Sequence, residues 1–106
     1  VGDIGAAVSL VAKKHHYRVI RELSGHGVGY AVHEDPEVPN YGRAGGGEEL
    51  RPGIVIAIEP MLSLNDTNIK VAPDGFTFIT SSGSVSSHAE HTVLITPSGN
   101  DILTLV

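Results

Sequence analysis

Gly53-Ile54-Val55-Ile56-Ala57-Ile58-Glu59-Pro60 is the run on which the fold turns. Its apolar stretch from Ile54 to Ile58 is mostly β-branched and too continuous for a surface strand, so it reads as a largely buried one. Pro52-Gly53 marks a turn at its start. Pro60 cannot donate to a ladder, so the strand stops there or lies at an edge. Glu59 is therefore the odd residue, because it closes a strand that carries no other polar side chain. Buried, its carboxylate would cost several kcal/mol unless paired or bound to a cation. In the alternative reading Pro60 ends the strand and Glu59 already meets water.

Working outward, residues 40–53 are the least structured part, with Gly45-Gly46-Gly47, Glu48-Glu49 and Pro52-Gly53. They read as a mobile surface loop; a phosphate-cradling loop would need a Gly-Lys-Ser/Thr that does not follow. Downstream, residues 68–71 and 76–80 read as a hairpin around Pro73-Asp74-Gly75. Residues 81–87 read as loop, 90–96 as a strand and 102–106 as a short last strand. Upstream, residues 3–16 carry Ile4, Ala7, Val8 and Val11 at helical spacing, with Asp3 as N-cap and Lys13, Lys14, His15 and His16 at the other end. Residues 17–23 read as a strand. One helix and five to seven mainly antiparallel strands make a single α+β domain over residues 1–106.

The chain has 106 residues, no cysteine and a formal net charge of −5. Its seven Lys and Arg form no stripe, which argues against nucleic acid. Without cysteine there is no disulfide framework and no thiolate metal site. No apolar run approaches the roughly 20 residues of a membrane span. The first residue is Val1, and a helical pattern follows at once, so we expect this chain to be part of a longer polypeptide.

Ser24-Gly25-His26-Gly27-Val28-Gly29-Tyr30-Ala31-Val32-His33-Glu34-Asp35-Pro36 mixes glycines, histidines and carboxylates as neither a core strand nor a plain loop would. Glycines on both sides of His26 are expected to clear space for an ion or substrate at its ring. Glu90 opens the strand Glu90–Thr96 as Glu59 closes its own. Taken alone, Glu90 would more often be solvated. His26, Glu59 and Glu90 each lie at the edge of a β segment, where strands of one sheet would converge. One imidazole and two carboxylates suit Mn, Fe, Co or Zn. His33 would reach a substrate carbonyl or its tetrahedral adduct from the far end of the strand; otherwise it is a half-exposed strand-end histidine. His88 and His91 flank Glu90 and are candidates to hydrogen-bond the ligands. His15 and His16 read as a solvated helix end.

Four blocks in register, residues 25–29, 33–42, 53–62 and 90–93, closely resemble type I methionine aminopeptidases. Glu90-His91-Thr92 resembles the methionine-specific branch, since the related proline-directed peptidases usually carry Glu-Asp there. The resemblance implies the C-terminal half of a pita-bread (creatinase/aminopeptidase-like) fold around two divalent metal ions, Co, Mn, Fe or Zn. It implies His26, Glu59 and Glu90 as metal ligands, with Glu90 bridging. It further implies Glu59 as proton shuttle for the attacking water and His33 as the contact to the scissile peptide. The implied reaction is removal of N-terminal methionine from new cytoplasmic proteins when the next residue is small. The family's two aspartate ligands and a further histidine have no counterpart here, so the missing N-terminal half is an expected partner. A chain with only three of the ligands is expected to bind metal weakly and hydrolyse little by itself. Val32 stands where the family usually has Phe, and Phe76 where Trp is common. Both border the methionine pocket, and the smaller Val32 would loosen it. A non-catalytic pita-bread module that binds peptide or protein ends is the alternative; it would have no need of His26, His33, Glu59 and Glu90 together.

Overall fold

The computed structural model describes residues 1–105. A helix, α1 (Gly2–Lys14), precedes ten strands: β1 (Arg18–Val19), β2 (Gly25–Gly27), β3 (Glu34–Val38), β4 (Val55–Ile58), β5 (Met61–Ser63), β6 (Ile69–Val71), β7 (Phe78–Thr80), β8 (Ser86–His88), β9 (His91–Thr96) and β10 (Gly99–Ile102). All the strand pairings are antiparallel. This is the expected α+β composition, cut into more and shorter strands than the five to seven read from sequence.

The central sheet has the order β10-β9-β4-β2-β3, which puts the Val55–Ile58 run in its middle. Ile56 is fully buried there with Val38 and Val93, and Ile4, Leu50, Ile54, Ile58 and Ile95 pack around them. A middle strand has neighbours on both edges and cover on its face, so an unbroken apolar run is what it needs. A second sheet has the order β1-β5-β8, and β6 pairs with β7 as the expected hairpin. Its turn is held by Asp74, whose Oδ1 accepts the N–H groups of Phe76 and Thr77, both at 2.8 Å.

Helix α1 departs from the expected apolar stripe. Ile4 and Val8 are half-buried, but Ala7 is exposed and Val11 is 57% exposed. The buried positions are Gly2, Gly5 and Ala12. A Cβ on Gly5 would stand 2.2 Å from the Tyr41 carbonyl oxygen, and one on Gly2 would stand 2.3 Å from that of Arg43. The helix packs on loop backbone, and backbone can come this close only to glycine. Asp3 is not the N-cap; Val1 is, with no side-chain cap. Asp3 lies in the first turn, where the dipole favours it, and its Oδ1 accepts the Gly45 N–H at 2.7 Å.

Residues 40–53 are without regular structure, as expected, but they are tied down. Gly46 O accepts the Gly2 N–H at 2.9 Å, Glu48 O accepts the Val1 amino group at 3.0 Å, and Arg21 lies over the Tyr41 ring at 4.4 Å. With its glycine backbone spent on the helix start, the loop cradles α1 and offers no phosphate nest. Three other boundaries shift. Residues 86–88, the first two of them within the stretch read as loop, pair with β5 because a strand needs only a free edge, not apolar side chains. Of residues 17–23, only Arg18–Val19 is strand. The last strand falls earlier, at Gly99–Ile102, folded onto β9 through a turn at Pro97 and Ser98; Val106 lies outside the described residues.

Candidate metal centre

The register of the central sheet assembles the site. His26 pairs with Ala57 across β2 and β4, and Ala57 pairs with Thr92 across β4 and β9. Cross-strand partners share a face, and so do residues two apart along a strand. Glu59 stands two beyond Ala57 and Glu90 two before Thr92, so both carboxylates fall on the face of His26. One donor atom from each of His26, Glu59 and Glu90 lies within 4.8 Å of the others. His26 and Glu59 are nearly covered, with side chains 14% and 13% exposed, whereas Glu90 is exposed. The glycines beside His26 serve a different end from the one expected. A Cβ on Gly25 would meet Ala57 O at 2.1 Å, and one on Gly27 would meet Asp35 O at 2.0 Å. They admit the neighbouring strands, not a ligand.

The hydrogen bonds of His26 test whether a cation fits. Its Nδ1 is 2.8 Å from Gly27 O. A carbonyl can only accept, so Nδ1 carries a proton, and in the Nδ1–H tautomer the ring turns a lone pair outward at Nε2. That Nε2 stands 3.0 Å from Glu59 Oε1, which is also an acceptor. Two lone pairs at this distance require a proton or a cation to share. The donor set fits a borderline divalent ion.

His33 arrives by a route not read from sequence. Residues 28–33 are not strand; they bend and lead back into β3, which pairs with β2. His33 is returned to the start of the hairpin, its ring centroid 4.0 Å from that of His26 and tilted by 38°. His88, at the end of β8 opposite Met61, reaches Glu59 Oε2 with its Nε2 at 3.2 Å. His91 faces away. Its Nδ1 is bonded to Thr104 Oγ1 at 2.8 Å, and that oxygen also accepts the Thr92 N–H at 3.0 Å. His15 and His16 lie exposed beyond the helix end.

Asn40 was missed by sequence reasoning. It is fully buried, and its Nδ2 donates to Glu59 O at 3.2 Å. A Pro-Asn pair at the mouth of a polar loop looks like a turn, and nothing local marks it as interior.

An open cavity of about 610 Å³ has His33, Glu59 and His88 in its wall, with Leu23, Met61, Phe78 and Ile79 among its apolar residues. Val32 and Phe76 are 75% and 87% exposed and do not line it. A larger hollow of about 950 Å³ beside Tyr30 and Arg51 contains neither His26 nor Glu59 and has no comparable chemistry.

Comparison with known proteins gives the family and the fold. The model of metallopeptidase family M24 matches residues 1–97. A methionine aminopeptidase of Clostridium perfringens is 45% identical over 104 residues, which are 98% of this chain and 42% of that protein. Methionine aminopeptidase 1 of Bacillus subtilis is 42% identical over 106 residues, 100% of this chain and 43% of that protein. The crystal structure of methionine aminopeptidase from Thermotoga maritima superposes with a TM-score of 0.95 at 46% identity, covering 99% of this chain and 42% of that one. That from Rickettsia prowazekii gives 0.93 at 40% identity, covering 98% and 42%. The expected fold, a portion of the pita-bread architecture, is borne out. The chain spans about two fifths of the length of these relatives.

Proposed function

Since the chain belongs to metallopeptidase family M24, we propose that it carries His26, Glu59 and Glu90 as ligands of a centre of two divalent ions (Co, Mn, Fe or Zn). In this reading the whole protein removes N-terminal methionine from cytoplasmic proteins whose next residue is small. Residues 1–106 form one domain, the C-terminal half of the catalytic domain, and the other half is its partner. The observation that carries this reading is the facing pair of acceptors, His26 Nε2 and Glu59 Oε1, 3.0 Å apart.

When bound, such ions polarise a peptide carbonyl and make water acidic enough to attack near neutral pH. The remaining work falls to side chains. His26, fixed by Gly27 O, keeps Nε2 unprotonated and aimed at the centre. Glu59, nearly covered, takes the proton of the attacking water and returns it to the leaving amine. His33, stacked on His26, donates to the carbonyl oxygen as charge develops there. Val32 and Phe76 are kept as the expected border of the methionine side chain, although in this chain both are exposed and stand outside the cavity of His33 and Glu59.

The test is release of methionine from a Met-Ala-Ser peptide with added Mn or Co. It is run with the chain alone and with the chain mixed with the part of the C. perfringens relative that lies outside the match. Release abolished by EDTA and by Glu59→Gln is expected, stronger in the mixture. Release that survives both treatments, or none in either preparation, would overturn the reading.

A further inference from the structure

We infer that His88 is a positioning residue for Glu59: it donates from Nε2 to Glu59 Oε2 and thereby keeps Oε1 turned toward His26. The inference rests on the metal-centre reading for its consequence, but its geometry stands without it.

Glu59 sits between two imidazoles, one at each oxygen, with His26 at 3.0 Å and His88 at 3.2 Å. The two contacts differ in kind. His26 has spent its proton on Gly27 O, so it offers Oε1 a lone pair. His88 has no such partner in the hydrogen bonds of the described residues, so its ring is free to place the proton on Nε2 and donate. The terminal torsion of a glutamate is broad, so the carboxylate would otherwise turn its plane and carry its oxygens out of line with His26. The backbone adds a third constraint. Asn40 Nδ2 holds the Glu59 carbonyl, and the Met61–His88 pairing fixes the distance between the two strands. His88 is 48% exposed and Glu59 13% exposed, so the donor comes from the solvent side and covers the carboxylate. His88 also lines the cavity beside His33 and Glu59, which puts it at the mouth of the site.

The experiment has two arms on the full 106-residue chain. In the first, the metal-free chain is labelled with 15N at histidine and kept at a pH well above the imidazole range. Nitrogen-detected spectra should report His88 as the Nε2–H tautomer and His26 as Nδ1–H. His88 found as Nδ1–H overturns the inference whatever the chain does with metal. In the second, Mn affinity is measured by calorimetry for the parent, His88→Ala and His88→Gln. His88→Ala should bind about 10-fold or more weakly, in the range known for hydrogen-bond partners of metal ligands. His88→Gln, whose amide can still donate, should recover most of the loss. Equal affinity in parent and His88→Ala overturns the inference, and so does equal weakening in both variants. If the parent binds no Mn by itself, as a chain with three of the ligands could, the functional reading is decided by the mixture with the other half, while the tautomer arm still decides the role of His88. Should His88→Ala fail to fold, the Gln variant and the tautomer arm remain decisive.

Discussion

His33 rests its imidazole on that of His26, centroids 4.0 Å apart, although residues 27–32 lie between them in the chain. The bend from Val28 to His33 returns the second histidine to the first, so one hairpin supplies both a candidate metal donor and a candidate group for the substrate. The two roles should separate on substitution. His33→Ala is expected to lower methionine release by about 10²–10³-fold, the usual cost of removing a donor to a developing oxyanion, with Mn affinity close to that of the parent. Turnover and calorimetry on the same preparation check this. Loss of both together would mean that His33 serves chiefly to hold His26.

Gly5→Ala sets helix propensity against packing. Alanine is favoured over glycine in a helix interior by about 1 kcal/mol. Here its Cβ would meet the Tyr41 carbonyl oxygen at 2.2 Å and its carbon at 2.5 Å, both backbone. Backbone cannot swing away as a side chain can, so the variant should be destabilised by about 1–3 kcal/mol. Thermal unfolding gives the sign. A more stable variant would show that the helix seats differently on the loop.

Asn40 ties the loop before β4 to the residue after it. Asn40→Ala removes a buried donor to Glu59 O and leaves that carbonyl short of a partner, at about 1–3 kcal/mol. The variant should unfold earlier in urea and also bind Mn more weakly, because the Glu59 backbone is no longer held. Lower stability with parent-like affinity would mean that Asn40 acts only in folding.

Asp74 gives the hairpin a pH dependence of known sign. Hydrogen bonds from the Thr77 hydroxyl, then from the Thr77 and Phe76 N–H groups, lower its folded-state pKa below the ordinary 3.8. A lowered carboxylate adds stability above its unfolded pKa and loses it as pH falls through the folded value. The Phe76 and Thr77 amide resonances should therefore move with a midpoint below pH 3.8 and hold steady above it. Asp74→Asn should abolish that step. Asp66, lowered chiefly by its bond from the Ser82 hydroxyl, should behave alike at Ser82.

Much of the site was legible because its residues break local rules. A carboxylate ending an apolar strand and a histidine between glycines are each costly without a reason, and the register brings them to one face. What remained hidden depends on long-range neighbours. Gly2, which lies outside the helix read over residues 3–16, and Gly5 within it carry no local sign of the Arg43 and Tyr41 carbonyls against them. Ser86–His88 carries no apolar alternation, since an edge strand is defined by the partner it finds. Asn40 resembles any turn residue until the chain packs over it. Val11 sat in a convincing stripe, but α1 buries its small face instead.

The three candidate donors lie in β2, just past β4 and just before β9, strands that are neighbours in space, and each is more than thirty residues from the next in sequence. Loops of that length must close before β2, β4 and β9 stand side by side, and such closures are slow steps in folding. No partial structure built from local contacts alone contains the site. An ion would find its ligands only in a chain that has finished pairing, and would then oppose reopening through the free energy of its own binding. With an ion held, His26, Glu59 and Glu90 would form a clasp across the central sheet, and the proposed metal would also record that folding is complete.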